Sequence, residues 1–378
     1  IAHTVTIRPE PISLLSALAA ATSRVGLAAT ISTTYNEPYP VARKFATLDH
    51  LSRGRAAMNV VTSSTWQEAR NFGQEAHMDH ATRYRRAAEF VAVVRGLWDS
   101  WEDGAVVADQ ATGRFADPRL VHHLDHEGEF FAVRGPLNVP RPPQGHPVII
   151  QAGVSEDGQA LAASIADLVF TVNASLEEAQ ARYAATKARV AQAGRAPGNV
   201  KILPGLMPVV AETEAQAREE YAALQALTPP EIGIAYLSDL VDHDLSAYPP
   251  DGPLPDLPAI NGGVGRFKMI ERLAREDGLT LGQIAHRMLL ARGHWTVIGD
   301  PRQVADEMER WFTAGACDGF NILAPHHPAG LDAFVDLVVP ELQRRDLFRR
   351  EYAGTTLREH LGLPRPANQF SSLSKVAE

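Results

Sequence analysis

The chain has 378 residues, of which 45% are hydrophobic and 21% are charged, and its formal net charge is −9. This composition is that of an ordinary globular protein with a sizeable core. The negative charge and the lack of a basic cluster argue against binding to nucleic acid. No apolar run is long enough to cross a membrane, and the single Cys317 fits a reducing compartment, so we expect a cytoplasmic protein.

The beginning of the chain alternates between helical and strand patterns. Residues 13–23 are predicted to form a helix capped by Ser13, and residues 25–32 a buried strand. A helix over 40–51 and a strand over 56–62 follow. Strands that are separated by a helix of this length indicate parallel pairing through right-handed crossovers.

The middle of the chain contains a long helix and an insertion. The amphipathic helix is predicted over 79–100, and an insertion rich in Gly, Pro, His and Asp follows over 102–146. Alternation over 126–135 indicates a small hairpin or edge strand within this insertion. The strand and helix patterns then resume, with strands over 147–152, 167–172 and 200–210 and helices over 156–164 and 175–193.

A second insertion lies over 228–291, rich in Pro and Gly as far as residue 265 and helical from there on. The last predicted strand and helix are 319–323 and 330–345, and an arm over 349–378 ends the chain. A closed barrel of eight strands needs more than the six core strands found here. Either the first two strands precede residue 1, or the sheet is open and doubly wound.

Two of the predicted strands end in small polar residues. One is the segment 57–63 (AMNVVTS), and the other is 148–155 (VIIQAGVS), which ends in Gly153-Val154-Ser155. Parallel barrels bind ligands at the carboxyl ends of their strands. A Gly-x-Ser turn before a helix can bind a phosphate, although Ser155 could equally be a simple helix cap. The sequence therefore predicts a phosphorylated cofactor at these strand ends.

These stretches resemble the flavin-dependent monooxygenases of the bacterial luciferase-like superfamily, in the branch that holds nitrilotriacetate monooxygenase, dibenzothiophene-sulfone monooxygenase and pristinamycin synthase. The resemblance extends over nearly the whole chain, through ATISTTYNEPYPVARKFATLDHLSRGR, NVVTS, DHATRYRRAAEF, VIIQAGVS, CDGFNIL and TLREHLGL. It implies an α/β fold, a (β/α)8 TIM barrel of the luciferase-like type with insertions, formed by 1–378 as one domain. It also implies that the first strands of the barrel are absent from this chain.

The resemblance implies a two-component monooxygenase that uses FMN as FMNH2, supplied by a separate NAD(P)H:flavin reductase, together with O2. The expected substrate is an aminopolycarboxylate such as nitrilotriacetate, oxidised with C–N cleavage. The alternative is an organosulfur compound, a sulfone or sulfonate. A non-redox barrel enzyme acting on a sugar phosphate is an alternative of another class. A homodimer or tetramer is expected.

The resemblance also implies the site residues, and it assigns the chemistry to the flavin rather than to a catalytic side chain. The expected flavin-binding residues are Asn59, Thr62, Ser63, Tyr84, Gln151, Gly153, Val154 and Ser155. The expected substrate contacts are Thr30, His80, Arg292, His294 and His326. We expect Arg83 on the surface or in an ion pair, and we interpret His122, His123 and His126 as loop histidines rather than metal ligands.

Overall fold

The computed structural model describes residues 7–63, 66–173, 175–227, 229–258 and 264–371. The strands of this described part are β1 Leu27–Ser32, β2 Ala56–Val61, β3 Val106–Asp109, β4 Arg114–Ala116, β5 His126–Glu127, β6 Ala132–Val133, β7 Val148–Gln151, β8 Leu168–Thr171, β9 Lys201–Val210, β10 Trp295–Gly299 and β11 Asn321–Ile322.

Helices alternate with the longer strands. In chain order they are α1 Pro11–Ala21, α2 Pro38–Leu51, α3 Trp66–Arg70, α4 His80–Asp99, α5 Glu156–Ile165, α6 Leu176–Gln192, α7 Glu214–Ala226, α8 Pro230–Val241, α9 Val264–Arg275, α10 Leu281–Ala291, α11 Pro301–Thr313, α12 Ala329–Ala333, α13 Val339–Arg344 and α14 Leu357–His360. Short 3₁₀ turns lie at Pro118–Leu120 and Pro197–Asn199, and a π-helical turn at Phe334–Val338 joins α12 to α13.

The described chain divides into two compact units. The N-terminal unit comprises 7–63, 66–169, 193–200 and 352–371. In its parallel sheet β1 pairs with β2, β2 with β7, and β7 with the first residues of β8. Because all of these strands run in the same direction, their carboxyl ends lie at one edge of the sheet.

Helices α2 and α4 form much of the core of the N-terminal unit. Phe45 of α2 and Phe90 and Trp98 of α4 are fully buried in one apolar cluster with residues of the sheet. The Trp98 Nε1–H donates to the carbonyl of Ala42 at 3.0 Å, so the polar atom of this ring is satisfied inside the core. This packing fixes the start of α4 beside the carboxyl ends of the strands.

The end of the chain packs within the same unit. Arg358 of α14 is buried, and its Nη2 lies 2.7 Å from Asp167 Oδ2. Its Nε–H donates to the carbonyl of His146 at 2.8 Å, and its backbone N–H donates to Gln144 Oε1 at 3.0 Å. Its Nη1 also donates to Asp167 Oδ1 at 3.3 Å, and such a bidentate arginine–carboxylate pair holds the arm in a defined geometry.

The C-terminal unit, residues 170–192 and 201–351 where described, contains parallel strands. Strand β9 pairs with β10 and with β11, and Leu206 is opposite both Trp295 and Ile322. Helices α8, α9 and α10 have an apolar core of their own, which includes Leu237, Ile270 and Ile284.

The structure confirms the six predicted strands and the hairpin, and it corrects other elements. Ser13 does not cap α1: the carboxylate of Glu10 accepts from the backbone N–H of Ile12 and Ser13, and Pro11 begins the helix. The Pro- and Gly-rich part of the second insertion contains α8. Strand β10 and helices α7 and α11 were not predicted. The described residues include no helix with the length and hydropathy of a membrane span.

Candidate functional site

The first polar cluster lies on the neighbouring strands β1 and β2. Thr30 and Asn59 are opposite each other in the parallel register, and the Asn59 Nδ2–H donates to Thr30 Oγ1 at 3.0 Å. Asn59 Oδ1 is buried, and no described residue donates a hydrogen bond to it. A buried amide oxygen without a donor is costly, so this atom is suited to accept from an N–H group of a ligand.

Hydroxyl groups link the ends of the same two strands. The side chains of Ser32 and Ser63 lie 2.7 Å apart, Oγ to Oγ. The hydroxyl of Thr34 donates to the carbonyl of Thr62 at 2.7 Å. Ser63 has a φ of 57°, a left-handed conformation that these bonds help to stabilise. The predicted residues Thr62 and Ser63 therefore belong to an ordered turn at the edge of the sheet.

The turn after β7 brings its backbone close to the start of α5. The backbone N–H of Gly153 donates to Gln151 Oε1 at 2.6 Å. A Cβ atom at Gly153 would lie 2.7 Å from the Cα of Gly158, so the turn requires glycine here. Ser155 is the N-cap of α5, and its Oγ accepts from the backbone N–H of Gly158 at 3.1 Å. Val154 lies between these residues, half-buried.

Side chains from the first turns of α4 complete this end of the site. The Ser155 hydroxyl donates to the Tyr84 hydroxyl at 3.4 Å. The ring of His80 lies 4.7 Å from that of Tyr84, centroid to centroid, and its Nδ1 lies 3.0 Å from Asp157 Oδ2. His80 thus contacts a carboxylate in the first turn of α5. The structure therefore places His80, an expected substrate contact, beside the predicted phosphate turn.

Arg83 was not predicted as a site residue, and the expectation for it is wrong. Its side chain is neither on the surface nor in an ion pair with a described carboxylate: it is 2% exposed, and its Nε has no described hydrogen-bond partner. Burial lowers the pKa of Arg83, although Tyr84, Tyr35 and two nearby carboxylates act against this. The helical spacing from Arg83 to Ala87 and Phe90, which are buried on the same face of α4, is the sequence signal that could have found it.

The other expected substrate contacts lie in the C-terminal unit. His294 is 7% exposed, and its ring stacks on Phe170 at a centroid distance of 5.1 Å. His326 Nε2 lies 2.7 Å from Glu220 Oε1. Arg292 is exposed at the end of α10, with a left-handed φ of 51°. Thr30 and His80, by contrast, lie in the N-terminal unit.

His294 also lines a cavity of about 480 Å³ in the C-terminal unit. Residues from α7, α10 and the beginning of β10 form its wall, and they include Tyr221, Gln225, His286, Arg287 and Thr296. His294 immediately precedes β10 rather than following a strand, so it does not lie at the carboxyl end of that strand.

The three histidines of the first insertion have different partners. His122 Nε2 lies 2.7 Å from Glu102 Oε1, His126 Nε2 lies 3.0 Å from Glu89 Oε1, and His123 Nδ1 lies 3.0 Å from a backbone carbonyl. Within the described residues these side chains do not converge on a common point, and no group of ligands suited to a metal ion occurs there.

The chain is similar to known proteins of one family. The family model described as luciferase-like monooxygenase matches residues 2–317. The chain is 51% identical to the N-acetyl-S-(2-succino)cysteine monooxygenase of Bacillus subtilis (strain 168), covering 96% of this chain and 83% of that protein. It is also 51% identical to nitrilotriacetate monooxygenase component A of Aminobacter aminovorans, covering 97% and 81%.

Solved structures of other proteins have a fold similar to that of this chain. A crystal structure of a riboflavin lyase with modified FMN and the substrate riboflavin superposes with a TM-score of 0.84 at 33% identity, covering 95% of this chain and 79% of that chain. The expected fold class, an α/β fold of the TIM-barrel type with a mostly parallel sheet, is confirmed.

Proposed function

The chain belongs to the luciferase-like monooxygenase family and is a monooxygenase, and we propose that it uses reduced FMN and O2 to oxidise a small polycarboxylate. The observation that supports the cofactor is the strand-end site of the N-terminal unit. It consists of Asn59 on β2, whose amide oxygen has no donor among the described residues, and of Ser155 and Tyr84 with their hydroxyl groups at the helix start after the neighbouring strand β7.

The residues present fit the two ends of FMN. Asn59 Oδ1 can accept from a ring N–H, and Thr30 lies next to it. At the other end, Ser155 and Tyr84 present hydroxyl groups at the start of α5, where backbone N–H groups favour a phosphate. Gly153 allows the backbone to come close to that phosphate, since a side chain there would fill the space.

Reduced FMN, when bound, supplies the two electrons that convert one oxygen atom of O2 to water while the other enters the substrate. The side chains of this chain then bind the flavin and the substrate, orient them, and exclude water from the site. Asn59 would orient the ring, and Ser155, Tyr84 and the start of α5 would hold the phosphate. His80 would hold the Asp157 side chain in place beside that phosphate.

The substrate class follows from what two relatives have in common. The names of the relatives give nitrilotriacetate and N-acetyl-S-(2-succino)cysteine as their substrates. Both molecules have several carboxylates, and in both a carbon beside a carboxylate is bonded to nitrogen or sulfur. We therefore propose oxidation at such a carbon, with cleavage of its bond to nitrogen as the first candidate and to sulfur as the second. The sugar-phosphate alternative is not retained, because the relatives are monooxygenases.

The name "component A" of one relative supports a second protein in the system. We propose that a separate NAD(P)H:flavin reductase supplies reduced FMN by diffusion. A cytoplasmic location and a homodimer or tetramer belong to the same proposal, and they follow from the sequence and its resemblance.

The first experiment is an anaerobic titration of the whole chain with FMN and reduced FMN. Ser155→Ala should weaken FMN binding and leave riboflavin, which lacks the phosphate, unchanged. Asn59→Leu should weaken both, because it removes a contact to the ring. Ser164→Ala is the matched control, since Ser164 lies at the far end of α5 and its hydroxyl bonds only to the carbonyl of Leu161.

Turnover then tests the reaction. With a flavin reductase, NADH and O2, we expect oxygen consumption that depends on nitrilotriacetate or on N-acetyl-S-(2-succino)cysteine. If the wild-type chain binds neither flavin form, or if all three variants behave alike, the assignment of the strand-end site to FMN is wrong.

A further inference from the structure

We propose that Arg83 is an anion-binding residue of the strand-end site, and that its guanidinium pairs with an oxyanion of a bound ligand. This oxyanion is either the phosphate of the flavin or a carboxylate of the substrate, so the naming of the ligand rests on the proposed function. The surroundings of the Arg83 side chain, and not the sequence motif around it, indicate this role.

Three other arginines of the N-terminal unit are buried, and all of them have partners inside the protein. Arg55, Arg141 and Arg358 are 3%, 7% and 4% exposed. Arg55 donates to the carbonyls of Ala19, Thr22 and Val25, Arg141 pairs with Asp99 and Asp103, and Arg358 pairs with Asp167. Arg83 is the most deeply buried of these four, yet its Nε has no described partner. The Nε of Arg95 also has none, but Arg95 donates through Nη2 to the carbonyl of Ile165.

A buried charge without a partner is energetically costly, because it loses its hydration and gains nothing in return. The pKa of Arg83 is lowered by burial, which is the signature of this loss. A guanidinium nevertheless remains protonated near neutral pH, so the cost is borne as a free energy rather than avoided by deprotonation. An oxyanion entering the site would remove this cost.

The surrounding groups do not provide such an oxyanion. The carboxylates of Asp79 and Glu68 act on the pKa of Arg83 only by through-space electrostatic interaction. The Asp79 carboxylate caps α4 by accepting from the backbone N–H of Thr82, and the Glu68 carboxylate lies 3.9 Å from His77 Nε2. Neither acid forms an ion pair with Arg83 within the described residues.

The position of Arg83 is that of a ligand-binding group. Tyr84 and Tyr35 act on its pKa in the direction opposite to burial and favour its charged form. Tyr84 lies beside the Ser155 turn after β7, and Tyr35 follows the end of β1. Arg83 precedes Tyr84 in the first turn of α4, at the strand-end site, and its five N–H donors suit a phosphate or carboxylate.

The test compares Arg83→Met with Arg85→Met. Methionine keeps the apolar stem without the charge, and Arg85 is an exposed arginine two residues further along α4 that pairs with Glu129. For both variants and the wild type, we would measure stabilisation against urea by inorganic phosphate, affinity for FMN and for riboflavin, and KM for nitrilotriacetate. Charge-assisted hydrogen bonds of this kind correspond to losses of about ten- to hundredfold in affinity.

We expect phosphate to stabilise the wild type and Arg85→Met, but not Arg83→Met. If the partner is the flavin phosphate, Arg83→Met weakens FMN binding and spares riboflavin. If the partner is a substrate carboxylate, both flavin affinities are unchanged and the KM for nitrilotriacetate rises instead. Either pattern supports the inference, and the two patterns separate the sources.

The inference is overturned if Arg83→Met matches the wild type with every ligand, or if Arg83→Met and Arg85→Met change alike. If the wild type binds no flavin at all, the proposed function fails while the phosphate measurement still decides the role of Arg83. Stabilisation by phosphate that is lost only in Arg83→Met would then support an anion site, and equal stabilisation of all three proteins would refute it.

Discussion

Replacing Arg83 by methionine should stabilise the protein in the absence of ligands. The side chain is 2% exposed and its Nε has no described hydrogen-bond partner. A buried polar group without a partner costs roughly 1–3 kcal/mol, and more when it is charged. Since methionine has an apolar stem of similar length, we expect the free energy of unfolding to rise by about 1–3 kcal/mol.

Arg358 provides the opposite case in the same unit. Its Nη2 lies 2.7 Å from Asp167 Oδ2, and both residues are buried. Arg358→Met would leave the Asp167 carboxylate buried without its cation, which typically costs about 3–5 kcal/mol. The same substitution at two buried arginines, which are 2% and 4% exposed, should therefore change the free energy of unfolding in opposite directions.

The assay is urea unfolding in a buffer without phosphate or carboxylate ions, followed by both circular dichroism and tryptophan fluorescence. Saturating phosphate should reverse the order of wild type and Arg83→Met, because a ligand at a hundredfold its Kd adds about 2.7 kcal/mol to the protein that binds it. If ligand-free Arg83→Met is less stable than wild type by more than about 1 kcal/mol, the guanidinium has a structural partner and the reasoning is wrong.

Three further results are expected. Gly153→Ala should abolish FMN binding, because the new Cβ would lie 2.7 Å from the Cα of Gly158, and a flavin titration checks this. Ser155→Asp should retain the helix cap, and hence stability within about 0.5 kcal/mol, while its charge repels the phosphate and weakens FMN binding; a similar loss of riboflavin binding would contradict this. Burial lowers the pKa of His146, so the unfolded chain binds more protons and stability should fall as the pH drops below about 6.5. His146→Gln should flatten this dependence in urea midpoints measured at about pH 5.5 and about pH 7.5, and an unchanged slope would show that other groups cause it.

The strands of the central sheets were predictable because their signal is local. Apolar runs such as 56–62 and 147–152 are bounded by Gly, Pro and polar residues, and the structure forms β2 and β7 within them. Strand β10 was missed since Trp295–Gly299 ends in Gly299 and is only partly buried. Its partner β9, to which it hydrogen-bonds in parallel, lies far away in the sequence. A local sequence pattern does not indicate which distant strands pair.

The turn at Ser155 was predictable for the same reason, and the cap at Ser13 was not. Ser155 follows a strand and precedes a helical pattern, so the end of the strand and the start of the helix both indicate Ser155 as the N-cap. At the start of α1 two residues compete for the role. Glu10 has the longer side chain and accepts from two backbone N–H groups, while Pro11 fixes the first helical residue, so the helix begins earlier.

The role of Arg83 could not be predicted from the sequence. Its position on the buried face of α4 can be read from the helical period. Whether a buried arginine is structural or binds a ligand depends on acceptors that come from elsewhere in the chain. Arg358 has its acceptor 191 residues away in Asp167, which no local pattern indicates. Only the folded chain shows that Arg358 is satisfied by the protein and that Arg83 Nε has no described partner, and this difference is the basis of the anion-binding role proposed for Arg83.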